Sequence, residues 1–124
     1  RLVADGQPQS FSLPGLFVHA GAHDPAITFA RHDYAFDKTQ TFFATLAGIP
    51  ADDLVSLIDQ NEQQIETGGV TLLSYISPGD DHTVLGKPGF YTETQNGTSL
   101  LDWVTALVAH ESVADVHCAD CKVA

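Results

Sequence analysis

The stretch "VTLLSYISPGDDH", residues 70–82, decides the reading of the fold. Its first eight residues are rich in β-branched, aliphatic and aromatic side chains, and Pro78-Gly79 closes them, which predicts a strand over 70–77. Asp80, Asp81 and His82 follow at once, so an imidazole stands just beyond the strand's carboxyl end.

Upstream, "DDLVSLIDQNEQQIE" keeps Leu54, Val55, Leu57, Ile58 and Ile65 on one stripe of a helix. Asp52 and Asp53 suit its N-terminus, and Gly68-Gly69 ends it. "DKTQTFFATLAG" from Asp37 predicts another helix, with Phe42, Phe43 and Leu46 on one side and Gly48 as its stop. "AITFARH", 26–32, predicts a strand entered through Asp24-Pro25. Residues 1–26 show no sustained period, and within them "LFVHA", 16–20, is expected as a short strand. Beyond His82, Ser99 is expected to cap a helix whose buried face is Leu100, Leu101, Val104, Leu107 and Val108, with Trp103 toward the flank. Strands alternating with helices predict an α/β fold with a parallel sheet. Two clear strands are too few for a complete doubly wound domain. We therefore expect residues 1–124 to be one segment, without internal repeat or linker, from the C-terminal part of a larger α/β fold.

Composition narrows the partners. The 124 residues are 44% hydrophobic, a globular value, and no apolar run approaches the ~18–20 residues of a membrane-spanning helix. Sixteen acidic against five basic residues give a formal net charge of −11, which argues against nucleic acid, since phosphate binding needs Lys and Arg. The chain opens on Arg1 without a signal-like segment, so a cut or partial N-terminus is expected. Cys118 and Cys121 in "HCADC" are compatible with a local disulfide. Asn96-Gly97-Thr98 is both a glycosylation sequon and a tight-turn signal.

In open α/β sheets, functional groups collect on loops beyond the strands' carboxyl ends. Asp33 and Asp37 follow the first strand and His82 the second, so parallel strands bring them to one edge. An aspartate on one imidazole nitrogen fixes the tautomer and stabilises the imidazolium, leaving the other nitrogen to take a serine proton. The chain order of α/β-hydrolases is Ser, then Asp or Glu, then His, with the last two in these positions. Against that stand plain roles: Asp80 and Asp81 as turn residues, Asp33 or Asp37 as helix caps. No Gly-x-Ser-x-Gly occurs; Gly97-Thr98-Ser99 begins one, but Leu101 stands where its second Gly belongs. A serine hydrolase reading therefore takes its nucleophile from residues upstream of Arg1. No cofactor is expected. His19 and His23 have the i,i+4 spacing of zinc ligands, but Gly21 between them and Asp24-Pro25 after them argue against a helix. His117 with the two cysteines lacks a second ligand pair.

"AFDKTQ", 35–40, resembles the acid loop of the pectin acetylesterase and Notum family, an aromatic-Asp-x-x-Gln pattern after a strand. "SPGDDHTVL", 77–85, resembles that family's histidine loop, and "FYT…NGTSLLDWVTALV" with "VADVHCADC" resembles its C-terminal region. The resemblance runs from about residue 25 onward and implies an α/β-hydrolase-like fold, secretion and serine carboxylesterase chemistry. It implies His82 as general base and Asp37, flanked by Phe36 and Gln40, as the orienting acid, with Asp33 as the other candidate. It also implies a small ester or acetylated polysaccharide as substrate. The competing expectations are a non-catalytic binding or structural domain on the same scaffold, and a metal-binding module.

Overall fold

Residues 72–77 form the expected strand, and five of its six side chains are buried. The computed structural model describes residues 12–121, and the head of the chain, 1–11, lies outside the described residues. In chain order the elements are α1 (Leu13–His23), β1 (Phe29–Tyr34), α2 (Lys38–Leu46), α3 (Leu54–Thr67), β2 (Leu72–Ser77), α4 (Gly89–Thr92), β3 (Thr94–Gln95), β4 (Thr98–Ser99), α5 (Leu100–Val108) and β5 (Val116–His117). The chain is mixed α/β, with a three-stranded parallel sheet in the order β1-β2-β5. The third strand pairs Tyr75 with Val116 and Ile76 with His117. Two residues are too short to show a period, which is why the sequence revealed only the other two strands.

The described residues divide into two compact units, one holding those up to Ala30 and Ile58–Leu72, the other Arg31–Leu57 and those from Leu73. In the first, Ile65, Val70 and Leu72 are buried, with Phe17 and Phe29 packed on them and meeting each other edge to face at 5.4 Å. "LFVHA" is helical here, not a strand. Ser12 caps α1 by accepting from the Gly15 N–H at 3.2 Å, and Pro14 lies in the first turn, where a missing N–H removes no helical bond. Those two signals outweigh a five-residue, mostly apolar stretch that carries no period of its own.

In the second unit, Tyr34, Tyr75, Val84, Leu100, Trp103 and Val116 form the core. Trp103 is only 4% exposed, whereas Val108 is 76% exposed and Leu101 is also exposed, so the expected face of α5 needs correcting. The face that packs is Leu100, Trp103, Val104 and Leu107, the i, i+3, i+4, i+7 set. The indole is drawn inward because Nε1–H donates to the Ala114 carbonyl at 2.8 Å and the ring meets Tyr75 edge-on at 5.6 Å. Ser99 is the cap expected of it, accepting from the Asp102 N–H at 3.0 Å. Asn96 and Gly97, at φ 51° and 78°, make the two-residue turn of the β3–β4 hairpin. Phe42, Phe43 and Leu46 of α2 share a side, as the spacing predicts, and all three are exposed. Among the described residues no helix is long and apolar enough to cross a membrane.

Replacing Trp103 with Ala should lower unfolding stability by about 3–5 kcal/mol, while Val108→Ala changes it by less than about 0.5 kcal/mol. Urea denaturation of the two variants checks the assignment of the α5 face.

Candidate active site

The two loops carrying Asp37 and His82 are held together by backbone pairing that continues past the ends of β1 and β2. Ala35 N–H donates to Ser77 O at 2.7 Å, Phe36 N–H to Gly79 O at 2.9 Å and Lys38 N–H to Asp80 O at 3.4 Å. The Lys38 ammonium also pairs with the Asp80 carboxylate. Gly79 is required at this crossing: a Cβ there would stand 2.6 Å from a ring carbon of Tyr34. The Pro78-Gly79 exit read in the sequence is thus also the point where the ring of Tyr34, the last residue of β1, crosses the second loop.

This pairing places His82 Nδ1 2.9 Å from Asp37 Oδ2. The carboxylate is fully buried and the imidazole side chain is 52% exposed. The other oxygen, Oδ1, accepts from the backbone N–H groups of Thr39 at 2.8 Å and Gln40 at 2.9 Å, capping α2. The helix-cap and histidine-facing readings of Asp37 are both realised in one side chain, each using a different oxygen. Gln40 Nε2 adds a further donor to Oδ2 at 3.1 Å and reaches Asp33 Oδ1 at 2.9 Å. Asp33 in turn lies with Oδ2 3.1 Å from Arg31 Nε. Of the two candidate acids, then, Asp37 contacts His82, and Asp33 stands one residue further back, behind Gln40.

Burial alone pushes the Asp37 carboxyl up, but the Gln40 backbone N–H, the His82 ring and the Gln40 amide together outweigh it and hold the group below its ordinary value of 3.8. Asp37 is therefore ionised at neutral pH. A carboxylate only accepts hydrogen bonds, so Nδ1 carries the bridging hydrogen, and the neutral ring has its lone pair on Nε2. Such a ring can take a proton at Nε2 while the buried carboxylate stabilises the imidazolium that forms.

Asp80 and Asp81 hold the histidine loop in shape. Asp81 accepts from the His82 backbone N–H at 3.0 Å and pairs with Lys87. Neither lies in a turn, so their part in the loop is through these side-chain contacts and not the turn roles expected of them. A cleft of about 550 Å³ opens along the start of α2, lined by Phe36, Lys38, Phe42, Asp52 and Asp53 among others.

A second histidine contact was not visible in the sequence. His32 Nε2 lies 2.9 Å from Ser77 Oγ, with its ring 4.7 Å from that of Tyr34 and 5.8 Å from that of Tyr75. Burial pushes the His32 pKa down, against the raising effect of Asp33 and Glu93, so this ring favours the neutral form. Ser77 has no exposed surface, which bars it from an external ester and marks the pair as a satisfied core contact. Its only signal in the sequence is a polar residue inside each of two strands.

Cys118 and Cys121 stand at disulfide distance, with Cα atoms 5.4 Å apart. His117 lies in β5. His19 and His23 do share a helix, contrary to the expectation from Gly21 and Asp24-Pro25, because α1 runs to His23 and ends on the Asp24 N–H bonded to Ala20 O. Among the described residues no group of three or more His, Cys, Asp or Glu is placed to hold a metal ion.

No protein-family model, curated protein or solved structure matches the chain.

The lowered Asp37 pKa makes stability depend on pH with a definite sign. A carboxyl whose folded pKa lies below its unfolded value of 3.8 contributes stability that is present above that value and lost as pH falls through the folded pKa. Asp37→Asn retains an oxygen to cap α2 but cannot ionise, so the variant should be less stable near neutral pH and converge on the parent at acid pH. Urea midpoints from about pH 6 to about pH 2 measure the difference, and a gap that stays constant across the range contradicts the assignment.

Proposed function

We propose that this chain supplies the acid and base of a serine carboxylesterase of α/β-hydrolase type, with Asp37 as orienting acid and His82 as general base. The observation that carries the proposal is the 2.9 Å contact between a fully buried carboxylate and a half-exposed imidazole on adjacent post-strand loops. The order of the two residues, each following a parallel strand, agrees with the resemblance of "AFDKTQ" and "SPGDDHTVL" to the pectin acetylesterase and Notum family.

On this reading His82 Nε2 takes the proton of a serine hydroxyl as its oxygen attacks an ester carbonyl. The imidazolium, held by Asp37, then gives that proton to the leaving alcohol as the acyl-enzyme forms. In the second half of the cycle Nε2 takes a proton from water, the hydroxide attacks the acyl-enzyme, and the proton returns to the serine. The 124 residues contain no Gly-x-Ser-x-Gly, so the nucleophile and the donors that stabilise the oxyanion belong to other polypeptide. Substrates of this chemistry are small esters or acetylated polysaccharide, the latter suggested by the resemblance alone. Secretion is part of the same reading, supported by a cysteine pair at disulfide distance.

The alternative, a binding or structural domain on the same scaffold, draws support from the missing nucleophile. A fluorophosphonate probe on the intact gene product separates the two: labelling of a serine in polypeptide associated with this chain supports the esterase, and its absence supports the binding domain. In the labelled protein, His82→Ala should lower ester turnover by about 10⁴–10⁶-fold. Ester hydrolysis retained in that variant overturns His82 as base.

A further inference from the structure

The His82 ring meets the Asp37 carboxylate, and that carboxylate is only the near end of a longer polar chain. Arg31, Asp33, Gln40, Asp37 and His82 follow one another at 3.1, 2.9, 3.1 and 2.9 Å. The amide is the link that joins the two acids. Its Nε2 lies between Asp33 Oδ1 and Asp37 Oδ2, and only a nitrogen with two hydrogens satisfies two carboxylate oxygens at once, which fixes the orientation of the Gln40 side chain.

We propose that Gln40 is a positioning residue for His82: its amide clamps Asp37 Oδ2 against His82 Nδ1 and ties that geometry to the Asp33–Arg31 pair. Three features of the site favour the role. First, the backbone N–H groups of Thr39 and Gln40 hold Oδ1 but leave Oδ2 free to turn about the carboxylate's own axis. Gln40 supplies the second restraint on the oxygen that faces the imidazole. Second, Asp37 and Asp33 are like charges sharing one donor group, so the bridging amide separates two carboxylates that would otherwise repel. Third, Arg31 beside Asp33 anchors the far end, which limits where the Gln40 amide can go. The other charged groups of the site are engaged elsewhere: Asp81 with Lys87, and Asp80 with Lys38. Gln40 does not touch a reacting atom; it acts through Asp37.

The geometry predicts a spectroscopic signature independent of catalysis. A free neutral histidine in water prefers its hydrogen on Nε2, whereas the Asp37 contact puts it on Nδ1. Long-range proton–nitrogen spectra of the full chain, isotope-labelled at histidine nitrogen and assigned with His82→Asn, report that tautomer directly. The parent should show Nδ1–H at His82. Gln40→Met, similar in length and without donors, should shift the majority to Nε2–H while the backbone caps on Asp37 persist. Asp33→Ala should shift it the same way, although Asp33 does not contact His82. Either variant folded with the parental tautomer overturns the proposal, and Asp33→Ala decides it alone should Gln40→Met fail to fold. Its bearing on turnover rests on the esterase reading: there Gln40→Met should lower kcat at unchanged KM by about tenfold or more, short of the about 10⁴ that a wholly wrong tautomer costs. A tautomer shift without any ester hydrolysis by the intact gene product would sink the esterase reading and leave the positioning role intact.

Discussion

The site depends on one constraint, the continuation of the β1–β2 pairing beyond both strands. Parallel strands diverge into loops at their carboxyl ends, and nothing in a strand obliges the loops to stay together. Here the N–H groups of Ala35, Phe36 and Lys38 keep donating to carbonyls on the other loop, and Tyr34 lies against the bare Cα of Gly79. Asp37 and His82 face each other because the main chain around them is already in register, not because their charges attract.

That order of causes accounts for the burial of Asp37. A carboxylate removed from water is costly unless its lone pairs are taken up. Two backbone N–H groups, one amide and one imidazole meet both of its oxygens, and the residue holds a charge where burial alone would neutralise it. A helix cap occupies one oxygen and a histidine the other, so a single side chain closes the start of α2 and meets the imidazole.

The neighbouring His32–Ser77 contact illustrates how burial alters chemistry. Both pairs join β1 or its loop to the region at the end of β2, and both involve a histidine. His32 sits among tyrosine rings against a serine without exposed surface, and its environment favours the neutral form. His82 is half exposed and backed by an ionised carboxylate. Only the second has an accessible base with a charged partner behind it, and the difference is one of solvent access and partner charge.

Local features were legible because local physics sets them. Pro78-Gly79 ends a strand, Asn96-Gly97 turns a hairpin and Ser99 caps α5, each through backbone preferences that act within a few residues. The same logic misread α1, since the five residues of "LFVHA" lack a period and the deciding signals were Ser12 and Pro14 ahead of them. It also misplaced Trp103, whose burial depends on a carbonyl eleven residues away at Ala114. The sequence by itself determined that a histidine follows one strand and Asp37 the other; Asp33, expected beyond that strand, is the next-to-last residue of β1. Tertiary structure decided which aspartate meets the histidine, since the contact spans 45 positions and is set by backbone register, the Gly79 crossing and the Gln40 bridge. The register and the Gly79 crossing exist only once β1 and β2 lie side by side, whereas the Gln40 bridge is local, three residues from Asp37 and seven from Asp33.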